Sequence, residues 1–290
     1  LFAIRPDYDL DVMEENQSLA NVSANILRGL DPILTSYKPD WVLVQGDTTT
    51  VAITALLAYY HRIRVGHVEA GLRTHNKWHP FPEEVNRRVA GVISDLNFAP
   101  TAWARDNLLK EGIPANQVVV TGNPVIDALH IVANQEIPAE ISRLLDTLGI
   151  NPAAGREVEK KLILVTAHRR ENFGEPLEQI CEALVELAGS GDVEIVYPVH
   201  PNPNVQDPAN HILQGVAHIT LLPALDYLPM VQLMKHAYLV LTDSGGIQEE
   251  APYFGIPVLV LREVTERPEG VEAGVLKLVG TRNQEIVSAT

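Results

Sequence analysis

The chain carries, near its C-terminal end, the stretch Leu239-Val240-Leu241-Thr242-Asp243-Ser244-Gly245-Gly246-Ile247-Gln248-Glu249-Glu250-Ala251. The pattern predicts an apolar strand, a glycine turn and then a helix. Gly245 and Gly246 let the backbone approach a ligand, because neither has a Cβ. The helix start directs N–H groups and a positive dipole end to the same spot, which suits a phosphate. The Ser244 hydroxyl adds to that site, whereas the Glu250 carboxylate suits sugar hydroxyls. Phosphate beside sugar indicates a nucleotide-sugar ligand.

Composition restricts the classes of partner. The chain has 290 residues, is 46% hydrophobic and carries a formal net charge of −15 at pH 7. This length accommodates two domains, and the charge argues against nucleic acid or an anionic membrane as the main partner. A single cysteine, Cys181, excludes a disulfide framework and a cysteine-based zinc site. We recognise no signal peptide and no apolar run of membrane-spanning length, so we expect a soluble cytoplasmic protein.

Strand and helix patterns alternate along the chain. Residues 18–37 have apolar side chains at helical spacing, and residues 41–44 read as a buried parallel strand. Residues 8–13 alternate enough to predict a further short strand. Strands separated by helices predict an α/β protein with two doubly wound parallel sheets.

The alternation is interrupted once. Residues 123–161 contain helical patches without a clear strand, and we interpret them as the crossover between two domains. The predicted domains are therefore 1–122, a Rossmann-like unit, and 123–290, the crossover with a second Rossmann-like unit.

Three acids in the first half follow strands or begin a helix. Open α/β sheets bind ligands at the carboxyl ends of their strands, and Asp47 and Glu69 occupy such places. Glu83 stands at the start of a predicted helix. The structural alternatives are an N-cap for Asp47 and a helix-end charge for Glu83. For Glu69 the alternative is a salt bridge to Arg73. Carboxylates crowded in one place suit proton abstraction from carbon, because crowding raises the pKa of one of them.

The second half offers cations at its strand ends. His168, Arg169 and Arg170 follow the strand at 162–166. Arginine forks onto phosphate oxygens and histidine can protonate a departing one, so this segment suits a diphosphate. A solvated basic loop is the structural alternative. Arg267 follows the last long strand, and we expect it to contact phosphate or ribose.

Several cofactor motifs are absent from the sequence. It contains no G-x-G-x-x-G fingerprint, no Walker A motif and no H-E-x-x-H metal site. We therefore expect no tightly bound NAD, no metal and no other cofactor.

Motifs spread over essentially the whole chain carry a family resemblance. They are Gln45-Gly46-Asp47-Thr48-Thr49-Thr50, His67-Val68-Glu69-Ala70-Gly71-Leu72-Arg73, Pro82-Glu83-Glu84-Val85-Asn86-Arg87, Thr121-Gly122-Asn123, His168-Arg169-Arg170-Glu171, Asp243-Ser244-Gly245-Gly246-Ile247-Gln248-Glu249-Glu250 and Thr265-Glu266-Arg267-Pro268-Glu269. In combination they resemble the bacterial non-hydrolysing UDP-N-acetylglucosamine 2-epimerases.

The resemblance implies a fold and a reaction. The fold would be GT-B-like, with two Rossmann-like domains and the active site in the cleft between them. The reaction would interconvert UDP-N-acetylglucosamine and UDP-N-acetylmannosamine, through elimination of UDP to a 2-acetamidoglucal intermediate and its re-addition. The product of such enzymes enters polysaccharide biosynthesis, and the resemblance further implies a homodimer.

The resemblance also assigns roles to individual residues. It implies the catalytic residues Asp47, Glu69, Glu83 and His168. It implies substrate binding by Arg169, Ser244, Gly245, Gly246, Glu250 and Arg267.

Both ends of the chain differ from the family pattern. Family members begin with a strand–turn–helix unit and end with helices that fold back on the first domain, and we find neither here. Three alternatives therefore stay open: a hydrolysing 2-epimerase that releases free N-acetylmannosamine, a GT-B glycosyltransferase, and an inactive fragment.

Overall fold

The computed structural model describes residues 1–14, 17–150 and 160–290. The chain divides into two compact units, Phe2–Pro124 and Val125–Thr290. Each unit contains one sheet in which every strand pairing is parallel. The expected α/β class with two parallel sheets is thus confirmed.

The first unit is a four-stranded sheet with strand order β1-β2-β3-β4. Its elements are α1 (Leu19–Tyr37), β1 (Trp41–Gln45), α2 (Thr49–Tyr60), β2 (Arg64–Val68), α3 (Glu83–Ile93), β3 (Leu96–Ala99), α4 (Ala102–Lys110) and β4 (Val118–Val120).

One face of this sheet carries the core of the first unit. Val44 and Val65 pack against α2 and α3, and Ala99 packs against α4. Leu43 and Val119 alternate with such core residues along their strands and point to the other face, where they are 68% and 44% exposed. We call this surface the bare face, because among the described residues of this unit the packed helices all lie on the opposite side.

The predicted strand at 8–13 is wrong. The structure has no strand there, and Asp11 has a left-handed backbone with φ +40°. The Asp9 carboxylate accepts a hydrogen bond from the Asp11 N–H (3.0 Å), which closes a local turn. Such side-chain-to-backbone bonds compete with the extended conformation, so the apolar alternation misled the prediction.

The second unit is a six-stranded sheet with strand order β10-β9-β8-β5-β6-β7. Its elements are α5 (Pro124–Ala133), α6 (Ala139–Leu148), β5 (Lys161–Thr166), α7 (Glu175–Ala188), β6 (Val193–Val199), α8 (Pro203–Leu213), β7 (Ile219–Pro223), α9 (Tyr227–Lys235), β8 (Leu239–Thr242), α10 (Ile247–Tyr253), β9 (Val258–Val260), α11 (Pro268–Glu272), β10 (Leu276–Leu278) and α12 (Asn283–Ala289).

Helices cover both faces of this second sheet. Successive residues of β5 alternate between two hydrophobic clusters, with Leu162 and Leu164 in one and Ile163 and Val165 in the other. The strands are buried on both sides, as a central parallel sheet requires.

The crossover and one helix differ in detail from expectation. Residues 151–159 of the predicted crossover lie outside the described residues. The Pro and Asn residues at 201–204 are typical of a rigid turn, whereas helix α8 begins there in the structure. Asn202 in fact caps this helix by accepting from the Asn204 N–H (2.9 Å), and proline is favoured in the first helical turn.

Candidate active-site residues

A glycine turn places Asp47 at the carboxyl end of β1. Gly46 has φ +81°, a conformation that favours glycine. Its N–H donates to the Val68 carbonyl (3.0 Å) on β2. Its carbonyl accepts a hydrogen bond from Nε2 of the fully buried His67 (2.7 Å). Both polar groups of the Gly46 backbone are therefore held by β2.

Asp47 is bound by α3. Its carboxylate accepts a hydrogen bond from Nη2 of the buried Arg87, and its backbone carbonyl accepts one from Asn86 Nδ2 (2.9 Å). The N-cap of α2 is Thr48, whose hydroxyl accepts from the Val51 N–H (3.4 Å). Asp47 is thus not the cap, and helix capping does not explain it.

Glu69 lies beside the same glycine turn. Its Oε2 is 3.5 Å from the position that a Cβ on Gly46 would occupy. Glu69 has φ +63°, which is sparsely populated for non-glycine residues and typical of functional sites. The two predicted acids Asp47 and Glu69 therefore meet at Gly46.

Arg73 pairs with Glu111, whereas the sequence suggested Glu69 as its partner. Its Nε and Nη2 donate to the two oxygens of Glu111, both at 2.9 Å, and its Nη1 donates to the Leu72 carbonyl (2.8 Å). Burial raises the pKa of Glu111, but the hydrogen bond and charge of Arg73 outweigh it and hold that pKa below its ordinary value. This bidentate pair gives the buried Arg73 a structural role.

The neighbouring acids Glu83 and Glu84 differ in environment. Glu84 is fully buried and accepts from the N–H groups of Thr74 (3.0 Å) and His75 (3.1 Å). It therefore ties the loop after β2 to α3. Glu83, the half-buried first residue of α3, lies one turn before the two residues that bind Asp47. Residues three and four apart share a helix face, so Glu83 faces the side on which Asp47 lies.

His67 is neutral at ordinary pH. Burial lowers its pKa to about 4, although the Gly46 hydrogen bond and the Asp47 charge oppose that shift. The charges of Arg73 and Arg87 lower it further. A group in this state holds its neighbours by hydrogen bonding rather than by charge.

In the second unit, Asp243 organises the loop that follows β5. This fully buried carboxylate directs Oδ2 at three donors, the N–H groups of His168 (2.8 Å) and Arg169 (2.8 Å) and the Asn172 side-chain amide (3.0 Å). A solvated basic loop, the structural alternative considered above, has no such anchor. The position of His168 is thus fixed from the end of β8.

The His168 ring lies between an acid and a second histidine. It stacks on His200 with ring centroids 5.5 Å apart, and its Nδ1 is 3.6 Å from Asp243 Oδ1. Burial lowers the pKa of His168, with Asp243 opposing and Arg169 and His200 reinforcing the shift. The neutral ring can gain a proton when an anion approaches it.

Gly245 and Gly246, which follow β8, have different surroundings. A Cβ on Gly245 would lie 2.7 Å from both Arg267 Nη1 and Glu266 Oε1, so this glycine makes room for an ion pair. A Cβ on Gly246 would meet nothing within 4 Å. The Ser244 N–H donates to the Thr242 hydroxyl (2.9 Å), which fixes the turn. Open space for a ligand therefore lies over Gly246.

Arg267 and Glu250 are both mostly buried and both bonded within the protein. Arg267 donates to Glu249 (2.5 Å) and to Glu266 (2.6 Å). Glu250 accepts a hydrogen bond from the Tyr227 hydroxyl (3.0 Å). Burial, reinforced by Glu249, raises the pKa of Glu250 against the opposing effects of Tyr227 and Arg267.

Sequence reasoning missed three residues of this arrangement. Asp243 stands at the end of an apolar strand, a signal that was applied to Glu69 and would have identified it. His200 follows β6 at the same sheet edge as His168, so the same strand-end signal would have identified it. The role of His67 depends on its contact with Gly46, for which the sequence gives no signal.

The described residues offer neither a metal-binding cluster nor a membrane-spanning helix. Within 1–14, 17–150 and 160–290, no group of three or more His, Cys, Asp or Glu side chains is arranged to hold a metal ion. Among the helices in those ranges, none combines the length and apolar character needed to cross a membrane.

Comparison with known proteins identifies the family. The model of the UDP-N-acetylglucosamine 2-epimerase family matches residues 1–290. The UDP-N-acetylglucosamine 2-epimerase of Salmonella typhimurium is 52% identical over 294 residues, covering 99% of this chain and 76% of that protein.

Solved structures agree with this match. The Neisseria meningitidis enzyme bound to UDP-GlcNAc is 47% identical with a TM-score of 0.89, covering 99% of this chain and 76% of that one. The Methanocaldococcus jannaschii enzyme in complex with UDP-GlcNAc and UDP is 34% identical with a TM-score of 0.84, covering 99% and 77%. This chain therefore belongs to the UDP-N-acetylglucosamine 2-epimerase family.

Proposed function

We propose that the protein interconverts UDP-N-acetylglucosamine and UDP-N-acetylmannosamine. The observation that carries this proposal is the meeting of Asp47 and Glu69 at Gly46, with α3 holding Asp47. Clustered carboxylates suit removal of a proton from carbon. Relatives that share this fold are epimerases for the same substrate.

In the proposed proton step, Glu69 takes the proton from C2 of the sugar. The C–H electron pair forms a C1–C2 double bond, the C1–O bond breaks, and UDP leaves with the electron pair of that C1–O bond. A proton then returns to the opposite face of C2, and UDP adds back to C1. Asp47 and Glu83 are the acids proposed to act in the return of the proton to that opposite face of C2.

The second unit is proposed to bind UDP. The open space over Gly246 and the start of α10 suit phosphate oxygens. His168 and Arg169, whose backbone Asp243 anchors, would contact the departing diphosphate. Ser244, Gly245, Glu250 and Arg267 complete the proposed UDP site. Because its pKa is lowered, His168 would become protonated only as negative charge arrives beside it.

Incubation with UDP-N-acetylglucosamine in deuterated water, followed by proton NMR, tests this function. We expect deuterium at C2 together with UDP-N-acetylmannosamine. Deuterated free N-acetylmannosamine with UDP would instead identify a hydrolysing enzyme. Absence of exchange and of product would contradict the proposal.

The alternatives differ in what they require. A GT-B glycosyltransferase moves a sugar to an acceptor and has no use for an acid cluster around C2, so Asp47, Glu69 and Glu83 favour the epimerase. An inactive fragment would show no exchange in this experiment and no UDP binding by calorimetry.

We further propose that the chain forms a homodimer through α3. Val85, Val89 and Val92 form an apolar stripe on the outer side of this helix, and Val92 is 77% exposed. Trp78 and Phe81, which are also exposed, lie near its start with tilted rings whose centroids are 5.8 Å apart. Contiguous exposed apolar surface of this kind marks protein interfaces.

Light scattering during size-exclusion chromatography tests the dimer. We expect a mass of twice 31.9 kDa for the wild type and of 31.9 kDa for Val92→Glu. Since Val92 makes little contact within the chain, the variant should remain folded. Tyr37→Glu, on an exposed aromatic residue of α1, should remain a dimer. A monomeric wild type or a dimeric Val92→Glu would refute this interface.

A further inference from the structure

A buried histidine underlies the proposed acid pair. His67 lies on β2, two residues before Glu69, and its ring is fully buried. Its Nε2 is 2.7 Å from the carbonyl oxygen of Gly46, the residue before Asp47. One side chain thus links the strand that leads to Glu69 with the turn that carries Asp47.

We infer that His67 is a positioning residue for the reaction, and that its hydrogen bond to the Gly46 carbonyl holds Asp47 and Glu69 at a fixed separation. The inference rests on the proposed function, because it assumes that these two acids act together on the sugar.

The direction of the hydrogen bond fixes the state of the ring. A carbonyl oxygen can only accept, so Nε2 carries the proton and donates it. Nδ1 then carries the lone pair, and it is buried without a hydrogen-bond partner among the described residues. The lowered pKa agrees with this neutral form. His67 is therefore suited to holding the backbone and not to proton transfer.

The hydrogen bond from His67 matters because the residue it restrains, Gly46, is a glycine. Glycine has the largest conformational freedom of any residue, so hydrogen bonds to its N–H and carbonyl restrict the chain more than they would at another residue. The Gly46 N–H is held by the Val68 carbonyl and its carbonyl by His67. Release of the carbonyl would let the Gly46–Asp47 peptide rotate, and a shift of 1 Å at a reacting group can cost about 100-fold in rate.

Two near-isosteric substitutions test the inference. His67→Met removes the donor, whereas His67→Gln keeps an N–H near the position of Nε2. We expect His67→Met to lower kcat by about 10-fold to 100-fold, with KM within about 3-fold of the wild type because the UDP residues are unaffected. His67→Gln should recover most of the lost kcat.

Val65→Ala is the matched control for lost stability. Val65 lies on the same strand and faces the same core as His67. Val65 is not hydrogen-bonded to Gly46. Val65→Ala should therefore destabilise the first unit while kcat stays close to that of the wild type. Equal loss of kcat in His67→Met and His67→Gln, or no loss in His67→Met, would overturn the inference.

Amide hydrogen exchange separates this inference from the proposed function. At Asp47 and Thr48 we expect faster exchange in His67→Met than in Val65→Ala, with His67→Gln close to the wild type. If the wild type fails to epimerise, the proposed function is refuted, and these exchange rates still decide whether His67 holds the turn. Unchanged exchange in His67→Met would refute the positioning role itself.

Discussion

Glu69→Gln is expected to slow deuterium incorporation at C2 of UDP-N-acetylglucosamine by about 10²-fold to 10⁴-fold, the usual contribution of a general base. The amide has nearly the shape of the carboxylate but cannot take a proton. Glu69 also has φ +63°, so a side chain of the same shape avoids new backbone strain. UDP affinity, measured by calorimetry, should stay within about 3-fold of the wild type because the proposed UDP residues lie in the second unit.

Glu14→Gln provides the matched control for this substitution. Glu14 is an exposed carboxylate outside the elements of the acid cluster, and its amide variant should exchange C2 at the wild-type rate. If Glu69→Gln exchanged C2 as fast as the control, Glu69 would lose its proposed role as the base. If Glu69→Gln also lost UDP binding, its effect would be on the fold and not on the proton step.

Asp243→Ala should lower the free energy of unfolding by about 3 kcal/mol, because it leaves buried donors without an acceptor and each unsatisfied group costs about 1–3 kcal/mol. Asp243 is fully buried, and its removal would leave the N–H groups of His168 and Arg169 and the Asn172 amide without their common acceptor. The loop that carries His168 would then lose its anchor, so UDP binding should weaken as well.

Asp243→Asn separates the loss of the acceptor from the loss of the side chain. An asparagine oxygen can still accept from the two N–H groups, so we expect a smaller cost of about 1–2 kcal/mol. Urea unfolding with and without UDP measures both variants. Equal stability of Asp243→Ala and the wild type would show that the loop is held by other contacts.

Strand ends were the part of the site that the sequence predicted well. The apolar runs 41–44 and 239–242 are both parallel strands in the structure, but only 239–242 is buried throughout. The predicted burial of 41–44 is wrong, because Leu43 is exposed on the bare face. Residues that follow parallel strands meet at one sheet edge, so Asp47 and Glu69 could be expected close together from order along the chain alone. Their catalytic roles remain predictions.

Pairings between side chains were beyond sequence reasoning. Arg73 and Glu111 are 38 residues apart and form a bidentate pair, whereas the sequence suggested Glu69 as the partner because it is near. The turn at Asp9 and Asp11 and the cap at Asn202 depend on single hydrogen bonds. Hydrophobic periodicity carries no information about these two bonds, because each is a local side-chain-to-backbone contact between residues two apart.

The bare face of the first sheet affects how the folded state would respond to common probes. In residues 1–290 taken alone, Leu43 and Val119 present apolar surface to solvent. Fluorescent dyes such as ANS bind this type of surface, and dye binding is commonly taken as a sign of a molten globule. A well-folded sample of this 290-residue chain would therefore bind the dye, and near-UV circular dichroism, which reports fixed aromatic packing, is the sounder criterion for its folded state.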